Sequence, residues 1–152
     1  MVSWFFQDVS FTFKRKSLYN KWLNETASLM GQNIKTLSVI FCSDSFLRDL
    51  NRRFLQHDYY TDVIAFDTRL GSDWPGDRHD KGIEGDVYIS IDSVKVNAQY
   101  YNVPFNEELA RVMVHGLLHL LGLSDLSEEE QKVIRLQENA ALQHLKRILN
   151  NE

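Results

Sequence analysis

Residues 109–125 read LARVMVHGLLHLLGLSD. From Leu109 to Leu121 the sequence is apolar nearly all round, the pattern of a helix buried at the centre of a domain. His115 and His119 interrupt it. Four helical residues turn the chain through about 400°, so the two imidazoles project from one face, one turn apart. Two such rings can hold one zinc ion. Gly122 returns to nearly the same face, where a glycine can take a positive φ, stop the helix and turn the chain back. Asp125 then comes round as a third ligand. Three protein ligands leave a position for water, the arrangement of a catalytic rather than a structural zinc site. The competing interpretation is a core helix whose two histidines are simply buried and hydrogen-bonded. Two polar rings on an apolar helix are costly, and a glycine turn that delivers an acid favours the metal.

Outward from this stretch, Asn106 has the residue type of an N-cap, with Glu107 and Glu108 in the first turn that follows. Ser127 and Glu130 form a Ser-x-x-Glu capping box. It opens a long last helix with Val133, Ile134, Ala141, Leu145 and Ile148 facing inward. Near the start, Val2, Trp4 and Phe6, then Phe11 and Phe13, predict one or two short strands in residues 2–13. Ser17 is placed to cap a helix running to about Met30, with Leu18, Trp22 and Leu29 buried and Gly31 ending it. Residues 36–42 predict a strand. Ser43 to Phe54 predict a helix with Phe46, Leu47, Leu50 and Phe54 on its apolar face. Residues 62–67 predict another strand, and Arg69 to Gly82 a surface loop. In the strand predicted at 83–91, Gly85 marks a bulge or a close approach. Asp92 begins a helix to about Tyr101, broken before Pro104. The order of elements gives an α+β fold, a small mixed sheet packed with helices around the central helix.

The chain has 152 residues, 43% hydrophobic, with two prolines and seven glycines, which fits one globular domain over 1–152 and excludes disorder. The net charge is −4, which argues against a protein that coats duplex DNA. No stretch approaches the roughly 18 apolar residues of a membrane span. In the N-terminal MVSWFFQDVSFTFKRK the charges follow the apolar residues, the reverse of a signal peptide. Cys42 is the only cysteine, so disulfides and all-cysteine zinc clusters are excluded, and a reducing cytoplasm is expected.

Three further segments accompany the helix. Leu50-Asn51, then Thr-Asp-Val-Ile-Ala-Phe at 61–66, and Gly-Asp-Val-Tyr-Ile-Ser at 85–90 lie upstream of His-Gly-Leu-Leu-His-Leu-Leu-Gly at 115–122. In type, order and spacing these resemble the YbeY family, metal-dependent endoribonucleases of bacterial ribosomal RNA maturation. The resemblance covers most of the chain. It implies a small α+β sheet with helices, a metal beside the sheet, single-stranded RNA as substrate, the 16S 3′ end as target, a role in ribosome quality control, and the small ribosomal subunit as partner. Two departures stand out. Asp125 occupies the place of the family's third histidine, making the site more negative and harder, so that manganese or another divalent ion can compete with zinc. Leu55 stands where the family carries an arginine thought to meet phosphate; Arg52, Arg53 or His57 is the candidate replacement.

The chemistry expected is metal-assisted phosphodiester cleavage, by activated water or through the RNA 2′-hydroxyl. Gly116 fills the slot where His-Glu-x-x-His proteases carry their glutamate base, which counts against a protease. A base is left to His57, Asp58, Asp62 or Asp86, unless a metal-bound hydroxide needs none, with Asp86 also a candidate substrate contact. Lys14, Arg15 and Lys16 read as a solvated strand end, and His144 as a surface or boundary residue. Asp73, Asp77, His79 and Asp80 read as an acidic loop rather than a second metal site. Cys42 reads as a buried filler. The alternative to an enzyme is a ribosome-assembly or RNA-binding factor that keeps its metal for folding.

Overall fold

The computed structural model describes residues 1–55, 61–71 and 82–151. The elements are β1 (Val2–Phe6), α1 (Lys16–Leu29), β2 (Ile34–Cys42), α2 (Asp44–Leu55), β3 (Val63–Asp67), a 3-10 turn (Thr68–Gly71), β4 (Ile83–Ser90), α3 (Ile91–Tyr101), α4 (Phe105–Leu120) and α5 (Glu128–Asn150). The strands form one mixed sheet in the order β1-β2-β4-β3. β1, β2 and β4 run parallel, and β3 returns antiparallel beside β4. This is the α+β architecture expected from the order of elements.

Alternation along the strands assigns two faces. Leu37, Val39, Phe41, Ile83, Val87 and Ile89 enter the main core with α1, α4 and α5. The opposite face carries Cys42, Ile64, Phe66 and Tyr88 under Leu47 and Phe46 of α2. Trp22 of α1 is fully buried, and its Nε1 donates to the Ala141 carbonyl of α5 at 2.7 Å. Truncating such a residue to alanine costs about 3–5 kcal/mol. Cys42 is buried as expected, and burial, reinforced by Asp8, Asp44 and Asp92, pushes its thiol up to about 12.

Several sequence expectations shift. Residues 2–13 hold one strand, the smaller of the two counts expected; Phe11 and Phe13 pack on Phe41 without joining the sheet. α1 begins at Lys16, before Ser17, with Arg15 as its N-cap at φ 64 and no capping side chain. Lys14, Arg15 and Lys16 are exposed, but at a helix start rather than a strand end. α4 is capped by Pro104 rather than Asn106, because proline's extended backbone precedes the first turn. Leu29, Phe54 and Val133 are exposed, since their helices turn other faces inward. The capping box at Ser127 and Glu130 forms with both reciprocal hydrogen bonds. No described helix is long and apolar enough to cross a membrane.

Candidate metal centre

α4 lies directly on the sheet because two glycines let it. A Cβ on Gly116 would meet Val87 Cγ1 at 2.6 Å, and one on Gly85 would meet the Phe66 carbonyl and Leu120 Cδ1 at 2.8 Å. The glycine inside β4 thus marks a close approach, one of the two meanings it carried in the sequence. The Gly116 contact also closes the slot in which a protease glutamate would stand. At its far end α4 stops after Leu120, and Gly122 takes φ 104. Hydrogen bonds from Gly122 N to His119 O (3.1 Å) and Leu123 N to Leu118 O (3.0 Å) close the turn. Arg69 braces the same end, pairing with Asp67 at 2.8 Å while donating to the Leu120 carbonyl at 3.2 Å.

The turn brings Asp125 back beside the two histidines. His115 Nε2 and His119 Nε2 are 2.9 Å apart, and Asp125 Oδ2 lies 3.4 Å and 3.6 Å from them. Tetrahedral zinc with ligands at about 2.0–2.1 Å sets neighbouring ligand atoms about 3.3–3.4 Å apart. The two distances to Asp125 match that spacing, and the 2.9 Å between the imidazole nitrogens is shorter than it. Among the described residues this is the one group of three or more potential ligands whose donor atoms all lie within 4.8 Å of one another.

Both outer ring nitrogens are engaged. His115 Nδ1 meets Glu138 Oε2 at 2.6 Å, and His119 Nδ1 meets the Leu123 carbonyl at 3.0 Å. A carbonyl only accepts, as does an ionised carboxylate, so each Nδ1 carries the proton. In the neutral rings both Nε2 lone pairs then face one another, and they repel unless a positive charge lies between them. Fixing the tautomer through the outer nitrogen is how proteins orient metal-binding imidazoles. The residues present fit a zinc ion on spacing and on donor chemistry.

Glu138 is only 5% exposed and also accepts from Arg111 at 2.9 Å. Burial works against its charge, but the bonds from His115 and Arg111 outweigh that and hold the carboxyl below its usual range. Burial likewise works against a charged His115, and the bond and charge of Glu138 more than offset it, raising the ring's affinity for a proton. Asp62 sits in the cavity beside His115 and Asp125. Burial raises its carboxyl above the ordinary range, partly countered by His115.

The other sequence candidates scatter. Arg52 and Arg53 both pair with Asp49, at 2.6 Å and 3.0 Å. Neither lines the clefts that reach the histidines; Asn51 and Leu55 of the same helix do. Asp86 projects to the α2 face of the sheet, because Val87 beside it faces α4. It lines neither of the clefts that reach the histidines, and so stands apart from the base or substrate contact expected of it. His57 and Asp58, like Asp73, Asp77, His79 and Asp80, lie outside the described residues. His144 is half-buried and pairs with Glu25 at 2.6 Å. Sequence reasoning missed Glu138 and Arg111. The signal was present: Glu138 falls on the buried stripe that also carries Ile134, Ala141 and Leu145, and a charge on an apolar stripe needs a partner.

A family model described as Endoribonuclease YbeY matches residues 6–146. Curated relatives named Endoribonuclease YbeY include one from Cytophaga hutchinsonii, 42% identical and covering 93% of each chain. One from Phocaeicola vulgatus is 39% identical over 93% of this chain and 96% of that protein. Among solved structures, the solution structure of TM1509 from Thermotoga maritima aligns with a TM-score of 0.62 at 23% identity, over 95% of this chain and 89% of that one. That likeness concerns the fold.

Proposed function

The chain belongs to the YbeY endoribonuclease family, and on that premise we propose that it cuts single-stranded RNA with a zinc ion, in maturation of the 16S rRNA 3′ end and in ribosome quality control. Membership makes it a metal-dependent hydrolase of RNA phosphodiester bonds. The finer reading assigns one zinc ion per chain to His115, His119 and Asp125, the small ribosomal subunit as partner and the cytoplasm as its place. The observation that carries the site is the meeting of three donor atoms within 4.8 Å of one another, with both Nδ1 atoms committed elsewhere. Asp125 is a harder ligand than imidazole, so manganese or another divalent ion is the competitor to test.

When bound there, zinc supplies Lewis-acid polarisation of a phosphoryl oxygen and acidifies a water molecule. The protein's own groups do the rest. Glu138 fixes the ring plane and tautomer of His115, and Arg111 fixes Glu138. The Leu123 carbonyl does the same for His119. Gly122 lets Asp125 return. Of the bases considered in the sequence, Asp62 shares a cavity with His115, and burial raises its proton affinity above that of an ordinary carboxylate.

The test is elemental analysis of purified wild type and Asp125→Ala, with cleavage of a single-stranded RNA measured on the same samples. Wild type is expected to carry about one metal per chain and cut RNA; Asp125→Ala loses both. Unchanged metal content in the variant overturns the three-ligand site. The exposed Leu55 beside His119 favours a second reading, an assembly factor with a structural metal. Metal-loaded protein that associates with small subunits yet leaves RNA intact decides for it.

A further inference from the structure

The candidate metal centre opens on two clefts of different character. On the His119 side the wall is Asn51, Leu55, Thr61, Val63, Ile64 and Ala65, with no lysine or arginine among the described residues. On the His115 side a cavity of about 350 Å³ runs between α3, α4 and α5. That volume lies at the lower end of small-ligand sites, which begin at about 300 Å³. Asn97 and Tyr101 of α3, one turn apart, form one wall; Arg135 of α5 stands on another.

The two arginines of this cavity are differently occupied. Arg111 donates to Glu138 and Asn139, both at 2.9 Å. Arg135 is exposed, makes no hydrogen bond or ion pair with any described residue, and only its field reaches Glu108. Tyr101 is 56% exposed, and its ring packs edge-on against Tyr100. The rest of the lining includes Asp62, Glu108 and Glu138. Carboxylates repel a phosphate but not a neutral base. Charge therefore sorts a nucleotide in one orientation, base toward Tyr101 and Asn97, phosphate at the rim with Arg135.

We propose that this cavity is the subsite for one nucleotide flanking the cleaved bond, with its base stacked on Tyr101 and hydrogen-bonded by Asn97, and its phosphate held by Arg135. The inference rests on the endoribonuclease reading and gives it a direction: the strand crosses the centre past His115 into the cleft between α3 and α5. Stacking on an aromatic ring tolerates any base, and a guanidinium suits a phosphate.

The test uses zinc-loaded full-length protein and two probes. Fluorescence anisotropy with a labelled 2′-O-methyl dodecamer reads affinity across a salt series; the matching RNA dodecamer reads cleavage. Arg135→Ala is expected to bind about tenfold more weakly, with its salt slope flattened by about 0.7, the increment of one phosphate contact on a single strand. Tyr101→Leu is expected to bind about tenfold more weakly with the slope unchanged, because stacking releases no counterions. Both raise KM and leave kcat within about twofold, since uniform binding is what is lost. Lys132→Ala, the same charge change on the same helix but away from the cavity, behaves as wild type. Either variant matching Lys132→Ala, in a protein whose wild type binds and cuts RNA, overturns the subsite alone. A wild type that neither binds nor cuts RNA overturns the endoribonuclease reading with it.

Discussion

His115 and His119 stand one turn apart on the same helix and are held in opposite ways. The outer nitrogen of His119 meets the Leu123 carbonyl, four residues on, a contact made by the turn at Gly122. The outer nitrogen of His115 meets Glu138 on α5, and Arg111 steadies that carboxylate. The surroundings divide likewise, uncharged beside His119 and charged beside His115. One half of the site is thus built by its own motif, and the other exists only once α5 has docked. The two glycines divide the same labour. Gly122 serves the local turn, and Gly116 serves the long-range packing of α4 on Val87.

The largest expected effect treats the halves as equals. His115→Ala and His119→Ala should each remove bound metal and RNA cleavage, by more than the roughly 100-fold that loss of a supporting partner costs. Elemental analysis and a cleavage assay check it, and dialysis against a chelator should mimic both variants in the wild type. A variant of one histidine that keeps its metal would break the symmetry of the ligand set. The supporting partners, in contrast, should separate the halves. Glu138→Ala is expected to weaken metal binding about 10–100-fold, measured by competition with a chromogenic chelator. Leu123→Ala keeps the carbonyl and should stay within about twofold of wild type on the same scale. Equal losses in the two would mean that His119 also depends on distant packing. Next in size are the glycines. Gly116→Ala should destabilise the fold by about 1–3 kcal/mol through overpacking against Val87. Gly122→Ala should cost about 1–2 kcal/mol through its left-handed φ and loosen Asp125 besides. Thermal melts with and without zinc distinguish them: only Gly122→Ala should also lose part of the stabilisation that zinc confers.

The same division explains what was legible in the sequence. The His115, His119 and Asp125 spacing, the Gly122 turn and the Ser127 capping box are local, and each is visible within a few residues. The close approach at Gly85 was legible because a glycine inside a strand pattern asks for a reason. The buried stripe shows that Glu138 needs a partner but not which one, because that partner is 23 residues away and nothing local signals a histidine. That Asp86 falls outside both clefts was not legible, because which face of β4 turns to α4 is fixed by packing against Val87, not by the strand's own alternation. Leu29, Phe54 and Val133 share the apolar spacing of core positions yet are exposed, because helical spacing gives a face but not which edge of it is covered. The helix starts moved by a residue or two, since backbone at Arg15 and Pro104 did the work expected of capping side chains.

The smallest effect bears on the uncharged half. Leu55 closes α2 at 43% exposure and lines the cleft beside His119. Leu55→Arg removes little buried area and places one cation in a cleft that has none among the described residues. Stability should move by no more than about 0.5 kcal/mol, as for other surface changes. If the RNA strand passes both histidines, the new guanidinium meets its backbone. Affinity for a single-stranded dodecamer then rises a few-fold, and the salt slope steepens by about 0.7, one added phosphate contact. If the slope does not change, the strand avoids the His119 cleft. The RNA then engages the site from the charged half alone, and the two histidines differ not only in what holds them but in what they face.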